Sequence, residues 1–268
     1  MPYSCFVVAL AAIAGVVNVS GGDVVMKKPS DSSVAAQEGK PTIILVHGAF
    51  ADGSCWSKVI PLLQQDGYQV TAVQNPLFSL AEDVATTRRV IKAVKGPVVV
   101  VGHSYGGAVI TGAAVDCPNV KALVYIAAFA PDAEEPVGNF SQQYPAPLAA
   151  ALIPDAAGFL YVDRAKFNSE FCADVPEHEA RIMAATQKPL SSSVFGASLK
   201  KVAWKTIHSW YLVAKEDHAI NPDLERFYAK RMKAQTSEVQ SSHVPFLSHP
   251  KVVTALIKSA AEADVKQP

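Results

Sequence analysis

The amino-acid sequence predicts an α/β fold, with a doubly wound, mainly parallel sheet of about six strands and a helical cap inserted after the fourth strand. Several short runs, such as "PTIILVH" and "PVVVV", are apolar along their whole length. Such runs are typical of strands buried on both faces in a parallel sheet covered by helices. Between them, apolar residues recur at intervals of three and four, which is typical of amphipathic helices. Because strand and helix alternate along the chain, the pattern favours an α/β architecture.

The predicted elements follow one another regularly from residue 41 onward. Strands are expected, in chain order, at "PTIILVH", "YQVTAV", "PVVVV", "VKALVYIAAF", "TIHSWYLVA" and "TSEVQ". Helices are expected where apolar or small residues share one face, over residues 56–63, 80–94, 106–115, 224–232 and 253–260.

One long segment, residues 131 to about 204, interrupts this alternation and is called the insertion below. It contains no convincing strand, whereas Phe167 and Phe171 share a helix face and "PEHEARIMAATQ" predicts a second helix that starts at a proline. The insertion is either a helical cap over the carboxyl edge of the sheet or additional packing. A cap is favoured, because open α/β sheets bind their ligands outside that edge.

Size and charge limit the class of protein. The chain has 268 residues, half of them hydrophobic, and its 24 basic and 24 acidic side chains leave no net charge. This length accommodates a sizeable hydrophobic core. The balanced charge, without a long basic run, argues against a nucleic-acid partner and against electrostatic binding to anionic membranes.

The first 40 residues differ from the rest of the chain. An uninterrupted apolar run covers residues 5–17. It is shorter than the about 20 residues of a membrane span, and it fits the apolar region of a signal peptide, although no Lys or Arg precedes it. We expect residues 1–22 to be a signal peptide, residues 23–40 a polar linker and residues 41–268 the folded domain. The mature protein would then be periplasmic or secreted, without a stable membrane span. A buried or anchoring helix in a cytoplasmic protein is the alternative.

The stretch "VVVVGHSYGGAV" contains the candidate nucleophile, Ser104. Gly102 and Gly106 flank this serine at two residues on either side, and the motif joins a buried strand to a helix of small residues. The pattern Gly-x-Ser-x-Gly is weak alone, but in a strand–turn–helix setting it predicts a nucleophile elbow, a tight turn that projects the serine hydroxyl. A side chain at either glycine would collide with the turn.

An elbow serine needs a base later in the chain, and His243 is the candidate. It follows the last predicted strand in "SSHVPFLSHP", at the sheet edge where the elbow also opens. His47 and His103 precede the serine and are interpreted as residues that shape the surrounding loops. The remaining histidines have other local interpretations: His178, His208, His218 and His249.

The acid that orients the base is expected to be Asp217, which follows the fifth predicted strand. Asp132 follows the fourth strand in "AFAPD", and this strand end can also reach the histidine, so it remains the competitor. Glu216 is a further alternative. Asp223 is instead interpreted as a carboxylate in the first turn of the next helix, behind Asn221 as its N-cap.

Two backbone N–H groups are expected to bind a developing oxyanion. One belongs to Tyr105, the residue after the nucleophile, and the other to Ala49 in the loop after the first strand, "VHGAFADGSCW". Gly48 would allow the backbone of this loop to approach closely.

Together, "VHGAFADGSCW", "GHSYGG", "EDHAINPD" and "SHVPFLSHP" resemble the α/β-hydrolase superfamily. The resemblance covers residue 41 to the end and is strongest to a compact branch of bacterial serine esterases, plant methylesterases and hydroxynitrile lyases. It implies Ser104, Asp217 and His243 as a catalytic triad and Ala49 and Tyr105 as oxyanion donors. It also implies a mostly apolar pocket under the cap, a small-molecule ester as substrate, and no cofactor or metal.

Two other functions remain open on this fold, a carbon–carbon lyase that uses the same triad and a non-catalytic ligand receptor. All three triad positions are filled, which disfavours the receptor. In the plant lyases that the chain resembles, a lysine follows the catalytic histidine and a threonine follows the histidine of the first loop. Here Val244 and Gly48 stand at those positions, so we expect an esterase.

Overall fold

The computed structural model describes residues 39–263, so the expected signal peptide and nearly all of the expected linker lie outside the described residues. The strands of the described part are β1 (Thr42–Val46), β2 (Val70–Val73), β3 (Val98–Ser104), β4 (Val120–Ala128), β5 (Leu152–Pro154), β6 (Phe159–Val162), β7 (Leu190–Ser191), β8 (Ser209–Ala214) and β9 (Gln235–Val239). The α-helices of the same part are α1 (Ile60–Gln65), α2 (Leu80–Ala93), α3 (Tyr105–Ala113), α4 (Phe167–Phe171), α5 (Glu177–Thr186), α6 (Pro222–Arg231), α7 (Pro245–Ser248) and α8 (Pro250–Glu262).

Six strands form the main sheet in the order β2-β1-β3-β4-β8-β9, and every neighbouring pair is parallel. The prediction of a parallel sheet of about six strands is confirmed. β3 and β8 are buried along their whole length, which explains why their sequences are continuously apolar. Helix α2 packs against α3, and α8 packs against α1, β3, β4 and β8. The chain runs from β1 outward to β2 and then back past β1 to β3. Right-handed crossovers therefore place α2 and α3 on one face of the sheet, and α1 with α8 on the other.

The helix expected over residues 56–63 is divided in two. A 3₁₀ helix covers Gly53–Lys58, and α1 begins at Ile60 with a proline in its first turn. Pro61 has no N–H, and its ring would collide with the carbonyl four residues earlier in a continuous helix. The chain therefore restarts a helix at this proline.

The insertion contains α4 and α5, as predicted, but the expectation that it has no strand is wrong. β5, β6 and β7 form a small antiparallel sheet of their own. A tight turn joins β5 to β6, in which Asp155 Oδ1 accepts the N–H groups of Ala157 and Phe159 and Gly158 has a φ of +82°. These strands have only two to four residues, too few to show the alternation of a half-buried strand.

Within residues 39–263, no helix combines the length and the hydropathy required to cross a membrane.

Candidate active site

Ser104 ends β3 and immediately precedes α3. Its φ of +54° and ψ of −125° lie in a region that a residue with a Cβ rarely adopts. The two flanking glycines allow this turn. A Cβ on Gly102 would lie 2.6 Å from the carbonyl oxygen of Gly106, and a Cβ on Gly106 would lie 2.6 Å from the carbonyl oxygen of Val46. The strain and the close packing are those expected of an elbow.

His243 and Asp217 meet beyond the ends of β9 and β8. The Nδ1 of His243 lies 2.5 Å from Oδ2 of Asp217, and the two residues are only 1% and 3% exposed. The other carboxylate oxygen, Oδ1, accepts the backbone N–H groups of Ala219 at 2.6 Å and Ile220 at 2.9 Å. Because a carboxylate accepts and does not donate, the proton of the neutral imidazole is on Nδ1. Nε2 of His243 is buried and has no hydrogen-bond partner within residues 39–263, so its lone pair can accept a proton.

His103 holds the backbone of His243. Its Nε2 donates to the carbonyl oxygen of His243 at 2.8 Å, and the centroids of the two rings are 4.6 Å apart. Burial lowers the pKa of His103 well below its ordinary value, so the ring is neutral and acts as a hydrogen-bond donor. This placement matches the expectation that His103 shapes the loops around the site.

The loop after β1 approaches Ser104 through Gly48, where a Cβ would lie 2.6 Å from the Cβ of Ser104. His47 braces this loop. Its Nδ1 donates to the carbonyl oxygen of Gly48 at 2.8 Å, and its Nε2 accepts the N–H of Asn75 at 3.1 Å. Burial lowers the pKa of His47 to about 4, which keeps the ring neutral and able to accept.

Both residues expected to supply oxyanion donors, Ala49 and Tyr105, line the same cavity as Ser104 and His243. Tyr105 is the first residue of α3, so its N–H has no acceptor within the helix. Its hydroxyl is used elsewhere, because it donates to Oδ2 of Asp83 at 2.7 Å.

The cavity has a volume of about 130 Å³. Among the described residues, no Lys, Arg, Asp or Glu lines it. Most of its wall is apolar and comes from the insertion: Val137, Phe140, Tyr144, Leu148, Leu152, Phe171, Leu190 and Phe195. The site therefore has reactive groups at the sheet edge and an apolar enclosure above them.

The alternative acids have other partners. The side chain of Asp132 is 31% exposed and pairs with Lys205. Partial burial raises the pKa of Asp132, but the hydrogen bonds from Lys205 and from the N–H of Ala133 outweigh this and hold the pKa below its ordinary value. Glu216 is exposed and accepts a hydrogen bond from Gln240. Asp223 lies in the first turn of α6, as predicted, and pairs with Arg226.

Sequence reasoning missed Asp174, which lies in the insertion between α4 and α5. Its carboxylate accepts the hydroxyl of Ser241 at 2.9 Å, the N–H of Ser242 at 3.1 Å, and the hydroxyl of Ser242. These two serines immediately precede His243, so Asp174 ties the insertion to the loop of the candidate base. The hydroxyl pair in "SSH" was the only signal in the sequence, and it does not identify the partner.

Comparisons with known proteins point to one family. The family model described as alpha/beta hydrolase family matches residues 43–256. Methylesterase 2 of Arabidopsis thaliana is 23% identical, with 85% of this chain and 99% of that protein covered. Alpha/beta hydrolase nvfD of Aspergillus novofumigatus is 27% identical, with 83% and 97% covered. The solved structure of a pyrethroid hydrolase from Sphingobium faniae superposes with a TM-score of 0.73 at 23% identity, covering 84% of this chain and 98% of that chain. A structural similarity at this identity shows a common fold.

Proposed function

The chain belongs to the alpha/beta hydrolase family, and we propose that it cleaves carboxylic esters of small uncharged molecules through an acyl-enzyme on Ser104. One observation carries the proposal. A serine with a strained backbone lines an apolar cavity together with a histidine whose Nδ1 is bound by a buried carboxylate. The Nε2 of this histidine has no hydrogen-bond partner among the described residues. The methylesterase and pyrethroid hydrolase named among the relatives support ester hydrolysis as the reaction type.

The proposed reaction has two halves. In the first, Nε2 of His243 takes the proton of the Ser104 hydroxyl while its oxygen attacks the ester carbonyl carbon, and the N–H groups of Ala49 and Tyr105 bind the resulting oxyanion. His243 then returns the proton to the leaving alcohol oxygen as the carbon–oxygen bond breaks. In the second half, water attacks the acyl-enzyme with His243 again as the base, and Ser104 is regenerated.

In this mechanism Asp217 is the orienting acid. Its carboxylate keeps the proton of neutral His243 on Nδ1 and stabilises the imidazolium that forms during each half-reaction. The backbone N–H groups of Ala219 and Ile220 fix the carboxylate while it does so.

We further propose that the insertion acts as a cap and restricts the substrate. Its apolar side chains exclude water from the cavity, which strengthens the hydrogen bonds to the oxyanion. A charged acyl or alcohol group would lose its hydration without gaining a partner, at a cost of several kcal/mol. Uncharged esters are therefore the substrate class that the cavity accepts.

The lyase alternative is disfavoured by the residue that follows the base. Cleavage of a cyanohydrin releases a cyanide ion, which a nearby cation stabilises. Here Val244 follows His243 and is buried in the core, and no described cationic side chain other than a protonated His243 would reach the cavity.

We also propose that residues 1–22 are removed on export, as the apolar run in the N-terminal sequence predicts. N-terminal sequencing of the protein purified from its native host tests this. A mature chain that begins near residue 23 is expected, and an intact Met1 on cytoplasmic protein contradicts the proposal.

The experiment that tests the function compares matched p-nitrophenyl esters. Hydrolysis of p-nitrophenyl butyrate is expected, with much weaker hydrolysis of p-nitrophenyl hemisuccinate, whose acyl group has a similar length but carries a carboxylate. Mandelonitrile serves as the lyase substrate. Cyanide release faster than ester hydrolysis, or equal turnover of both p-nitrophenyl esters, contradicts the corresponding part of the proposal.

A further inference from the structure

Helix α6 carries a buried carboxyl group that the mechanism above does not use. Glu225 is 0% exposed, and its Oε2 accepts the N–H of Ala214, the last residue of β8, at 3.1 Å. Its Oε1 is buried and accepts no N–H or O–H group from residues 39–263. The backbone N–H of Asp217 donates to the carbonyl oxygen of the same Ala214 at 3.3 Å, so both residues are anchored on Ala214 and their carboxyl groups are neighbours in the buried interior.

Two neighbouring carboxyl groups in such a site do not both ionise, because the low polarity that surrounds them leaves their repulsion unscreened. Asp217 accepts three hydrogen bonds, from two backbone N–H groups and from the Nδ1–H of His243. Glu225 accepts a single N–H. Burial, followed by the negative charge of Asp217, raises the pKa of Glu225 well above its usual 4.5.

The remaining titratable groups around Glu225 do not reverse this assignment. Tyr211 on β8 and Tyr228 on α6 are buried phenols, and burial raises the pKa of each. Arg226 follows on α6 and favours the charged form of Glu225, but its guanidinium is bound to Glu238 and Asp223 at the surface. The proton shared by the pair therefore stays on Glu225.

Asp217 has one acceptor position left for a donor from Glu225. A carboxylate offers about four lone-pair positions. Oδ1 of Asp217 accepts two N–H groups, and Oδ2 accepts one from His243. One position is left, and a neutral Glu225 has one O–H to fill it.

We propose that Glu225 is a positioning residue, a neutral carboxylic acid whose O–H donates to the Asp217 carboxylate and holds it against His243. This inference rests on the proposed function, in which Asp217 orients the base. Glu225 touches neither the substrate nor the reacting atoms, and it acts through Asp217 alone.

Two substitutions separate this role from simple packing. Glu225→Gln keeps an oxygen for the N–H of Ala214 and offers a neutral N–H to Asp217. Glu225→Leu keeps most of the volume and removes the donor. Asp223→Asn is the matched control, because it removes a carboxylate from the same helix at an exposed position.

The kinetic readout uses p-nitrophenyl butyrate. Glu225→Leu is expected to lower kcat about 10-fold with little change in KM. Without its donor, Asp217 orients His243 less firmly in the transition state, whereas substrate binding in the cavity is unaffected. The acidic limb of the kcat/KM profile is expected to move to higher pH, since an Asp217 with fewer donors holds a positive imidazolium more strongly. Glu225→Gln and Asp223→Asn are expected to keep the wild-type profile.

The stability readout has a defined sign. Unfolded Glu225 ionises above its usual pKa of 4.5 while folded Glu225 keeps its proton to a higher pH, so the contribution of Glu225 to wild-type stability is full in acid and is lost as the pH rises from 4.5 through the raised folded pKa. Glu225→Gln has no such proton to lose. Its Tm is expected to equal that of the wild type near the acidic end and to exceed it near the alkaline end.

The protonation state is read without substrate by infrared difference spectroscopy at neutral pH. The carbonyl band of a protonated carboxylic acid is expected in the wild type and in Asp223→Asn, and it is expected to disappear in Glu225→Gln. This readout remains valid if the protein hydrolyses no ester, in which case the proposed function fails independently of the state of Glu225.

Three results would overturn the inference. The first is wild-type kcat and pH profile in a folded Glu225→Leu. The second is a carboxylic-acid band that persists in Glu225→Gln. The third is a shift of the acidic limb to lower pH in Glu225→Gln, because that shift means that wild-type Glu225 carries a negative charge. If Glu225→Leu does not fold, Glu225→Gln alone tests the inference through its infrared carboxylic-acid band, the pH dependence of its Tm and its kcat/KM profile against pH.

Discussion

The ends of β4 and β8 are neighbours at the carboxyl edge of the sheet, and an aspartate follows each of them. Asp217, after β8, is buried and accepts two backbone N–H groups and the imidazole of His243. Asp132, after β4, is partly exposed and bound to Lys205. Similar positions in the chain thus place the same residue type in two very different environments.

Under the proposed function, the difference in environment determines which of the two carboxylates can orient His243. Backbone N–H groups hold the Asp217 carboxylate in place without cancelling its negative charge, so this charge acts on the imidazole of His243. The carboxylate of Asp132 is paired with the half-exposed ammonium of Lys205, and such an exposed pair contributes at most about 1 kcal/mol. Burial with backbone donors, and not position after a strand, distinguishes the two.

Substitution of the candidate nucleophile is expected to cause the largest loss of kcat, and this loss is the reference for the two aspartate variants. Ser104→Ala is expected to lower kcat by about 10⁶, because it removes the attacking oxygen and leaves only binding and oxyanion stabilisation. Intact-mass analysis after treatment with a fluorophosphonate detects the reactive Ser104 hydroxyl directly. One adduct is expected on the wild type and none on the variant, so an adduct on Ser104→Ala would falsify the assignment of the nucleophile.

Substituting each aspartate in turn is the direct test of the comparison. Asp217→Asn is expected to lower kcat by about 10⁴, because an amide can bind the wrong tautomer of His243. Asp132→Asn is expected to stay within about 3-fold of the wild type, as is usual for a partly exposed ion pair. The two variants are measured side by side on one ester. A crippled Asp132→Asn with an active Asp217→Asn reverses the assignment.

A third carboxylate sharpens the comparison, because Asp174 contacts the loop before His243 without touching the imidazole. Asp174→Ala removes the acceptor of the Ser242 hydroxyl and N–H, and one of the hydrogen-bond partners of the Ser241 hydroxyl. We expect it to lower kcat about 10-fold and the free energy of unfolding by about 1 kcal/mol, the net value of a hydrogen bond to a partly exposed charge. Glu177→Gln, an exposed carboxylate of the insertion, is the control. Equal effects of the two substitutions argue against a specific link.

The pH dependence of stability should carry the signature of Asp174. Partial burial raises its pKa, but the hydrogen bonds from Ser242, Ser248 and Ser241 hold it below the usual 3.8. A lowered pKa stabilises the fold above the unfolded value, and this contribution is lost as the pH falls through the folded value. The difference in unfolding free energy between the wild type and Asp174→Asn is therefore expected to be full near neutral pH and to shrink below about pH 4. Urea denaturation at several pH values measures it, and a constant difference contradicts the prediction.

The smallest expected effect belongs to the part of the cavity wall that the insertion supplies. Phe195→Ala is expected to raise KM about 5-fold with little change in kcat, because the wall binds substrate and transition state alike. Phe78→Ala removes an exposed aromatic ring outside the cavity and is expected to change neither constant. A fall in kcat without a rise in KM for Phe195→Ala indicates that the insertion positions the reacting groups.

The sequence alone determined the parallel sheet and the turn at Ser104. Both depend on local chemistry: continuous apolar runs require burial on both faces, and Gly-x-Ser-x-Gly between such a run and a helix of small residues predicts a tight turn. It also indicated His243 and Asp217, because residues that follow parallel strands gather at one edge. The antiparallel strands of the insertion escaped this reasoning, since two to four residues are too few to show a period.

The different surroundings of Asp217 and Asp132 are visible only in the tertiary structure, because Lys205, Ala219 and Ile220 contact these carboxylates through space. It alone revealed Asp174 beside Ser241 and Ser242, nearly 70 residues along the chain. It also placed Glu225 beside Asp217, whereas the sequence shows Glu225 only as one of several charged residues in a helix. Sequence patterns report which backbone a segment adopts and which face it buries. The partner of a buried polar group depends on packing between distant segments, and this packing sets its charge and orientation.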